Sequence, residues 1–464
     1  MLIRLRSRRS AKECMQMPLL GKLGSPMGAL YREGGISGTR IKSLRYLMLG
    51  TVLGTLFTSV TSGGTMLTGY FTALGGSAFA FGILSAIPFL AVVVQIPASI
   101  LISRTGARKK YRIKYGIIAR AIWILIGLIP LLIPMHPVWL RICGLCVFRG
   151  LAAGCEAFPE TTYGPWLADL VPQNIRGRWL SIRDIICNVA GISIGVVQVF
   201  LLERMPGLTG YTVIFVAGGL IGIADMLCSL RIEDVPMATE AASNLSGTAK
   251  QVFRDKPFVQ FMLFWTFWLF TAYLANPYTN FYALQKLGLS MSATTIYGQV
   301  IPAIISVVVS PFWGYLIDKL GNKRVMFLSC TFAALAPVIL VFSEEGQSLA
   351  FFLYNLFGSM VWSVPFLVAL NMMLCNSPHD DRTSYVAIFH CFTELLGSFL
   401  GVLFGGSLIE FLSYGLQKWS FARDSVLADE YKLLFLLSAL LRIAATLLIV
   451  PRLRDRKEGA DDPV

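Results

Sequence analysis

Histidine occurs three times in 464 residues, and Asp, Glu, Lys and Arg together make up only 14% of the chain. About a quarter of an ordinary globular sequence is charged, so a soluble domain of this length could not cover its surface. His136, His379 and His390 are too scattered for a multi-histidine metal centre, no His-Glu-x-x-His pattern is present, and the one Gly-x-Ser-x-Gly, Gly191 to Gly195, falls inside the apolar run at 179–202 and not at a strand-to-helix turn. Those features argue against a zinc or serine hydrolase. No glycine-rich loop ends in Gly-Lys-Ser or Gly-Lys-Thr, so the chain carries no phosphate cradle of an ATP-driven pump. The nine cysteines are an odd number, and all but Cys14 fall in apolar stretches, which suits core packing and no disulfide framework. Cys143 and Cys146 form a CxxC, but within an apolar helix and not a redox loop. Neither a metal nor an organic cofactor is expected.

Long apolar runs stand in place of charge. The chain is 55% hydrophobic, with a mean hydropathy of +0.66. Runs at 46–69, 78–102 and 113–134 can each cross a hydrocarbon core, which takes about 20 residues as helix. Further runs lie near 138–160, 179–202, 211–231, 258–285, 292–317, 325–343, 349–375, 384–412 and 431–450, making twelve. Backbone in lipid must satisfy its own hydrogen bonds, so these are helices. The short alternating segments of a β-barrel are absent.

The net charge of +14 resembles a nucleic-acid footprint until its placement is considered. Ten basic residues, from Arg4 to Arg45, precede the first span. The loop after span 2 holds Arg104, Arg108, Lys109, Lys110 and Arg112, and later even-numbered loops hold Arg176, Arg178, Lys250, Arg254, Lys256, Lys319, Lys323 and Arg324. Odd-numbered loops are nearly bare. The positive-inside rule then puts both termini and the even loops in the cytoplasm of a cell-membrane protein, and no nucleic-acid partner is implied. The expected divisions are a basic tail at 1–45, with Met17 or Met27 as alternative starts, a six-helix half at 46–231, a linker at 232–257, a second half at 258–451, and a tail at 452–464.

The two halves repeat one another. Ile87, Pro88 and Pro97 answer Ile301, Pro302 and Pro311 at an offset of 214, and Leu101, Gly106, Arg108 and Lys109 answer Leu316, Gly321, Lys323 and Arg324 at 215. An offset of 206 pairs Pro159 with Pro365, Pro172 with Pro378, Arg176 with Arg382, and Gly191 and Gly195 with Gly397 and Gly401. Proline and glycine are costly inside helices, so their recurrence at fixed spacing marks a duplication. The fold class is therefore an all-α membrane protein of twelve transmembrane helices, built as two pseudo-symmetric six-helix bundles.

Between spans 8 and 9 runs Gly314-Tyr-Leu-Ile-Asp318-Lys319-Leu-Gly321-Asn-Lys323-Arg324. This segment resembles the loop motif of the major facilitator superfamily, and with the repeat the resemblance covers about residues 45–450. The first-half copy keeps Arg104, Gly106, Arg108 and Lys109 but has Ser99 and Ser103 where the family has glycine and aspartate. Gly321 suits a tight turn and Gly314 a close helix approach, while Asp318 can meet a helix N-terminus. The resemblance implies a latch that holds the outward-facing state. It also places spans 1, 2, 4, 5, 7, 8, 10 and 11 around a central cavity. In span 5 the Gly-Pro step of many drug/proton antiporters is missing.

Ionisable residues within spans are expensive and are functional candidates by default. Arg149 and Glu156 share a face of span 4, with Asn355 and Trp362 as repeat counterparts. His390 and Glu394 share a face of span 11, answering Asp184 and Asn188. Arg149 suits an anionic group or a carboxylate partner, and Glu156 or Glu394 suits proton coupling. Asn276, Asn280 and Gln299 need partners in lipid and are further ligand candidates. Arg183 and Asp184, near the basic end, suit gating. Asp225 and Arg442 fall on outer helices, where snorkelling or bracing is expected. The aromatics of span 7, Trp265, Trp268, Tyr273, Tyr278 and Tyr282, suit lipid packing and interfacial anchoring more than stacking on a solute.

The expected function is alternating-access transport of a small solute by a monomer, coupled to H⁺ or Na⁺. A polar nutrient such as a sugar is favoured. Export of drug or lipid-like compounds is the alternative within the class, and a membrane receptor, channel or enzyme the alternative outside it.

Overall fold

The computed structural model describes residues 38–61, 64–134, 136–234, 250–378, 382–418 and 429–453. Most of the basic tail, the middle of the linker, the last eleven residues and His379 lie outside the described residues. Among the described residues, twelve helical spans are long and apolar enough to cross a membrane. Spans 1–6 are Arg40–Ala73, Ala78–Thr105, Arg108–Leu132, Val138–Leu167, Ile175–Arg204 and Leu208–Arg231. Spans 7–12 are Lys256–Gln285, Met291–Leu320, Asn322–Val341, Leu349–Asn376, Tyr385–Leu416 and Glu430–Arg452. Large apolar side chains face outward all round the bundle, among them Leu131, Val308, Phe342 and Phe411. That belt is stable only against hydrocarbon.

Several helices run past their apolar stretch. The fourth continues to Leu170 because Trp166, Leu167 and Leu170 pack with Leu44, Trp179 and Ile232 in a core of first-half residues. Hydropathy marks where lipid is crossed, whereas the helix ends where its buried face ends.

Three cores organise the described residues. At the end carrying the basic loops, the first half has the core just named, and the second half has its own around Phe258, Trp265, Trp268, Met326 and Phe389. At the opposite end one core serves both halves, bringing Tyr70, Phe71 and Phe81 together with Tyr278, Phe281, Tyr282 and Phe435. Phe81 stacks on Phe281 at 5.2 Å across the boundary. The Tyr278 hydroxyl donates to the Val402 carbonyl at 2.7 Å, and a Cβ on Gly82 would lie 2.5 Å from that hydroxyl. Spans 2 and 11 therefore meet through glycine. Ser292 of span 8 donates to Glu203 of span 5 at 2.9 Å. The halves are joined at this end and part toward the basic end.

Three expectations need correction. The span 7 aromatics Trp265, Trp268, Tyr278 and Tyr282 are buried in protein, since span 7 packs against spans 11 and 12 and has little lipid face. Asp225 and Arg442 are also buried, at 5% and 1% exposure, so neither snorkels. A Cβ on Gly314 would meet nothing within 4 Å, so no neighbouring helix needs that glycine. Gly106 and Gly321 do have positive φ, 64° and 82°, which makes both turns glycine-dependent.

Candidate functional site

Span 3 carries Arg108, Arg112, Gly116 and Arg120 at four-residue intervals, a single inward stripe. Arg108 pairs with Asp169 at 2.6 Å. Arg112 donates to the Pro159 carbonyl of span 4 at 2.7 Å and lies over Tyr163 and Trp166. Arg120 lies 4.5 Å from the Phe57 ring centre and 3.8 Å from Asp225 of span 6. Gly50 and Gly54 of span 1 leave the room that Asp225 fills, since a Cβ there would lie 3.1 or 3.2 Å from its oxygens. Arg112 and Arg120 are thus matched to aromatic faces, which lowers the cost of taking each guanidinium out of water.

Span 4 adds the expected pair. Arg149 Nη1 donates to Glu156 at 3.1 Å, the Trp123 indole N–H donates to the other oxygen of Glu156 at 2.9 Å, and Arg149 lies over the Trp123 ring at 5.0 Å. Glu160, one turn on, accepts from Gln95 of span 2 at 3.0 Å. Arg112, Arg120, Arg149, Glu156 and Glu160 all line one cavity of about 690 Å³, whose wall also includes Phe57, Phe89, Tyr163, Tyr273 and Asn276. The cavity lies between the halves, beneath the shared core.

To the central cavity the second half contributes polar rather than charged groups. Span 7 breaks between Tyr273 and Asn276, and Asn276 at the break lines both the central cavity and a second one of about 280 Å³. Asn355, Tyr354, Trp362 and Arg442 line the second cavity. Gly298 keeps open a space faced by Asn280 Oδ1, Thr65 Oγ1 and Asn355 Oδ1, at 3.3, 3.5 and 3.9 Å from a Cβ built there. Gln299 points elsewhere, into a crevice between spans 5 and 8 with Thr55, Asp184 and Asn188. Asp184 pairs with Arg183 at 2.6 Å, and Arg183 reaches the Tyr163 hydroxyl at 3.3 Å. His390 and Glu394 line neither cavity. Gln299 and Glu394 both fall in π-helical turns, Ile296–Val300 and Thr393–Phe399, distortions frequent at functional positions.

At the basic end, Lys109 caps span 6 through the Leu230 and Ile232 carbonyls at 3.1 and 2.7 Å. Lys323 caps span 12 through the Pro451 carbonyl at 2.7 Å. These lysines are 214 residues apart, one fewer than the glycine-based motif alignment suggests, and each sits at the negative end of a helix dipole. Asp318 makes no ion pair among the described residues. Sequence reasoning missed Arg112, Arg120, Trp123 and Glu160. It counted Arg112 among the loop charges, although the four-residue spacing of the span 3 arginines was the available signal.

A profile of the Major Facilitator Superfamily matches residues 47–301 and 299–463. No curated protein matches at the sequence level. Among solved structures, a bacterial homolog of the human lysosomal transporter Spinster, inward-facing and occupied, aligns over 92% of this chain and 100% of its own at 16% identity, TM-score 0.70. A mutant of the nucleoside transporter NupG aligns over 89% and 100% at 14% identity, TM-score 0.69. The inward open xylose transporter XylE from E. coli aligns over 90% and 97% at 15% identity, TM-score 0.64. At such identities the likeness is one of fold.

Proposed function

The chain belongs to the major facilitator superfamily, and from that premise we propose a secondary transporter that carries a small polar solute by alternating access, coupled to protons. The observation that carries this reading is the charged cavity between the halves, closed at one end by a core shared between them and flanked at the other by two separate cores. Rocking about such a site exchanges which end is sealed. With the basic loops cytoplasmic, this state faces inward, both termini are cytoplasmic, and the Asp318 latch engages in the opposite state.

Glu156 is the coupling carboxylate. Arg149 and Trp123 each donate to one of its oxygens; solute that draws Arg149 away frees this carboxylate for the coupling step. Asn276, Asn280 and Asn355 supply hydroxyl- and carbonyl-matching groups from the second half. Sugar and nucleoside transporters of the same fold support a polar cargo. The apolar wall formed by Phe57, Leu67, Leu84 and Phe89 supports a second reading, export of an amphipathic compound.

Purified protein in liposomes tests both. Saturable solute flux that follows an imposed pH gradient, with Glu156→Gln retaining exchange but losing the gradient response, is the expected result. Ohmic current without saturation would sink the carrier reading, and extrusion of amphipaths without polar uptake would favour the second.

A further inference from the structure

Among the described residues Arg442 is the most deeply buried charge of the second half, at 1% exposure. It donates to Ser438 Oγ at 2.9 Å, to the Ala272 and Ala333 carbonyls at 3.1 and 3.3 Å, and to Asn276 Oδ1 at 3.5 Å. Among the described residues no carboxylate forms an ion pair with it. The contrast with the first half is direct. There a span 6 carboxylate, Asp225, faces the span 3 Arg120, whereas span 12 places Arg442 against Ala333 of span 9.

Neutral partners satisfy hydrogen bonds but leave a full positive charge in the membrane interior, a costly state. The last turn of the first span 7 helix, through Ala272, offers about half a negative charge, and the Trp362 face at 5.9 Å adds a quadrupole. Neither neutralises it. Beside Arg442 is the cavity of about 280 Å³, lined by Asn355, Ser306, Ser359 and Tyr354, and joined through Asn276 to the wall of the central cavity.

Building on the transport reading, we propose that the solute is a small organic anion whose carboxylate or phosphate occupies this second cavity and supplies the missing counter-charge to Arg442. The rest of the solute extends past Asn276 toward Arg149 and Glu156. The Nη1 N–H that Arg442 does not spend on Ala333 is a charge-assisted donor to either anion type. The second amide N–H of Asn355, whose first goes to the Phe351 carbonyl, and the Ser306 hydroxyl supply the remaining donors.

The test is thermal unfolding of the purified full-length protein with benzoate, succinate or inorganic phosphate, against benzamide and succinamide at equal ionic strength. At a hundredfold excess over Kd an anion should raise Tm by about 3 °C, and the neutral amides should not. Response to benzoate or succinate assigns a carboxylate, and response to phosphate alone a phosphoester. Asn276→Asp places a permanent carboxylate at the atom already facing Arg442. This isosteric variant should raise the Tm of the ligand-free protein and abolish the anion shift, without requiring that Arg442→Gln fold. No anion response, equal response to the amides, or an undiminished shift in Asn276→Asp overturns the proposal. Liposome uptake of a neutral solute by Arg442→Gln would overturn it while leaving the transporter reading intact; loss of all transport by the wild-type chain would remove both.

Discussion

A side chain in this bundle is decided by its partners more than by its type. Glu156 is the clearest case, because it holds both the Arg149 guanidinium and the Trp123 indole. Glu156→Gln strands Arg149, and breaking such a buried pair costs about 3 kcal/mol. Adding Arg149→Met should recover part of that loss, and thermal unfolding of the single and double variants would show it; additive losses would mean that the pair is not coupled. The Asp225 site gives a second expectation. Gly54→Ala puts a methyl 3.2 Å from a carboxylate oxygen, whereas Gly150→Ala meets nothing within 4 Å. The first should lower stability by about 1–3 kcal/mol and reduce flux, the second should be near neutral, and equal Tm values would refute the crowding argument. Arg149 and Glu156 were recognisable because charge in an apolar run stands out. Arg120 and Arg112 were not, because their run adjoins a basic loop and loop charge hides inward charge.

At the scale of the element, glycines set how closely helices approach. Span 11 lies on span 7 through Gly397 and Gly401, where an added Cβ would be 2.8 and 2.5 Å from the Thr266 and Phe270 carbonyls. Gly401→Ala should therefore push span 11 away from span 7, whose Tyr273 and Asn276 line the cavity. We expect a loss of about 2 kcal/mol or more and weaker solute binding. Gly358→Ala on span 10 has open space and should be neutral or stabilising by up to about 1 kcal/mol. A detergent melting curve distinguishes them, and equal behaviour would discard the packing account. The paired glycines of the repeat were legible, but their partners were not. Gly195 faces Gln299 and Val300 across the half boundary, while Gly401 faces its own half. Duplication preserves spacing, whereas the neighbour that fills a gap depends on how the halves dock.

For the whole molecule, one end holds the halves together and the other lets them part. A short thiol cross-linker between Cys substitutions at Glu203 and Ser292, in a cysteine-free background, should react readily and stop flux. Reaction that leaves flux intact would refute alternating access about this seal. Twelve spans, their duplication and the sidedness of the basic loops followed from sequence alone, because lipid imposes length and polarity on each segment locally. Which end is closed, which arginines turn inward, and that Arg442 stands without a carboxylate among the described residues while Asp225 answers Arg120 were decided only by tertiary structure. Hydropathy counts the cost of a charge in lipid; only the packing of distant spans shows what offsets it.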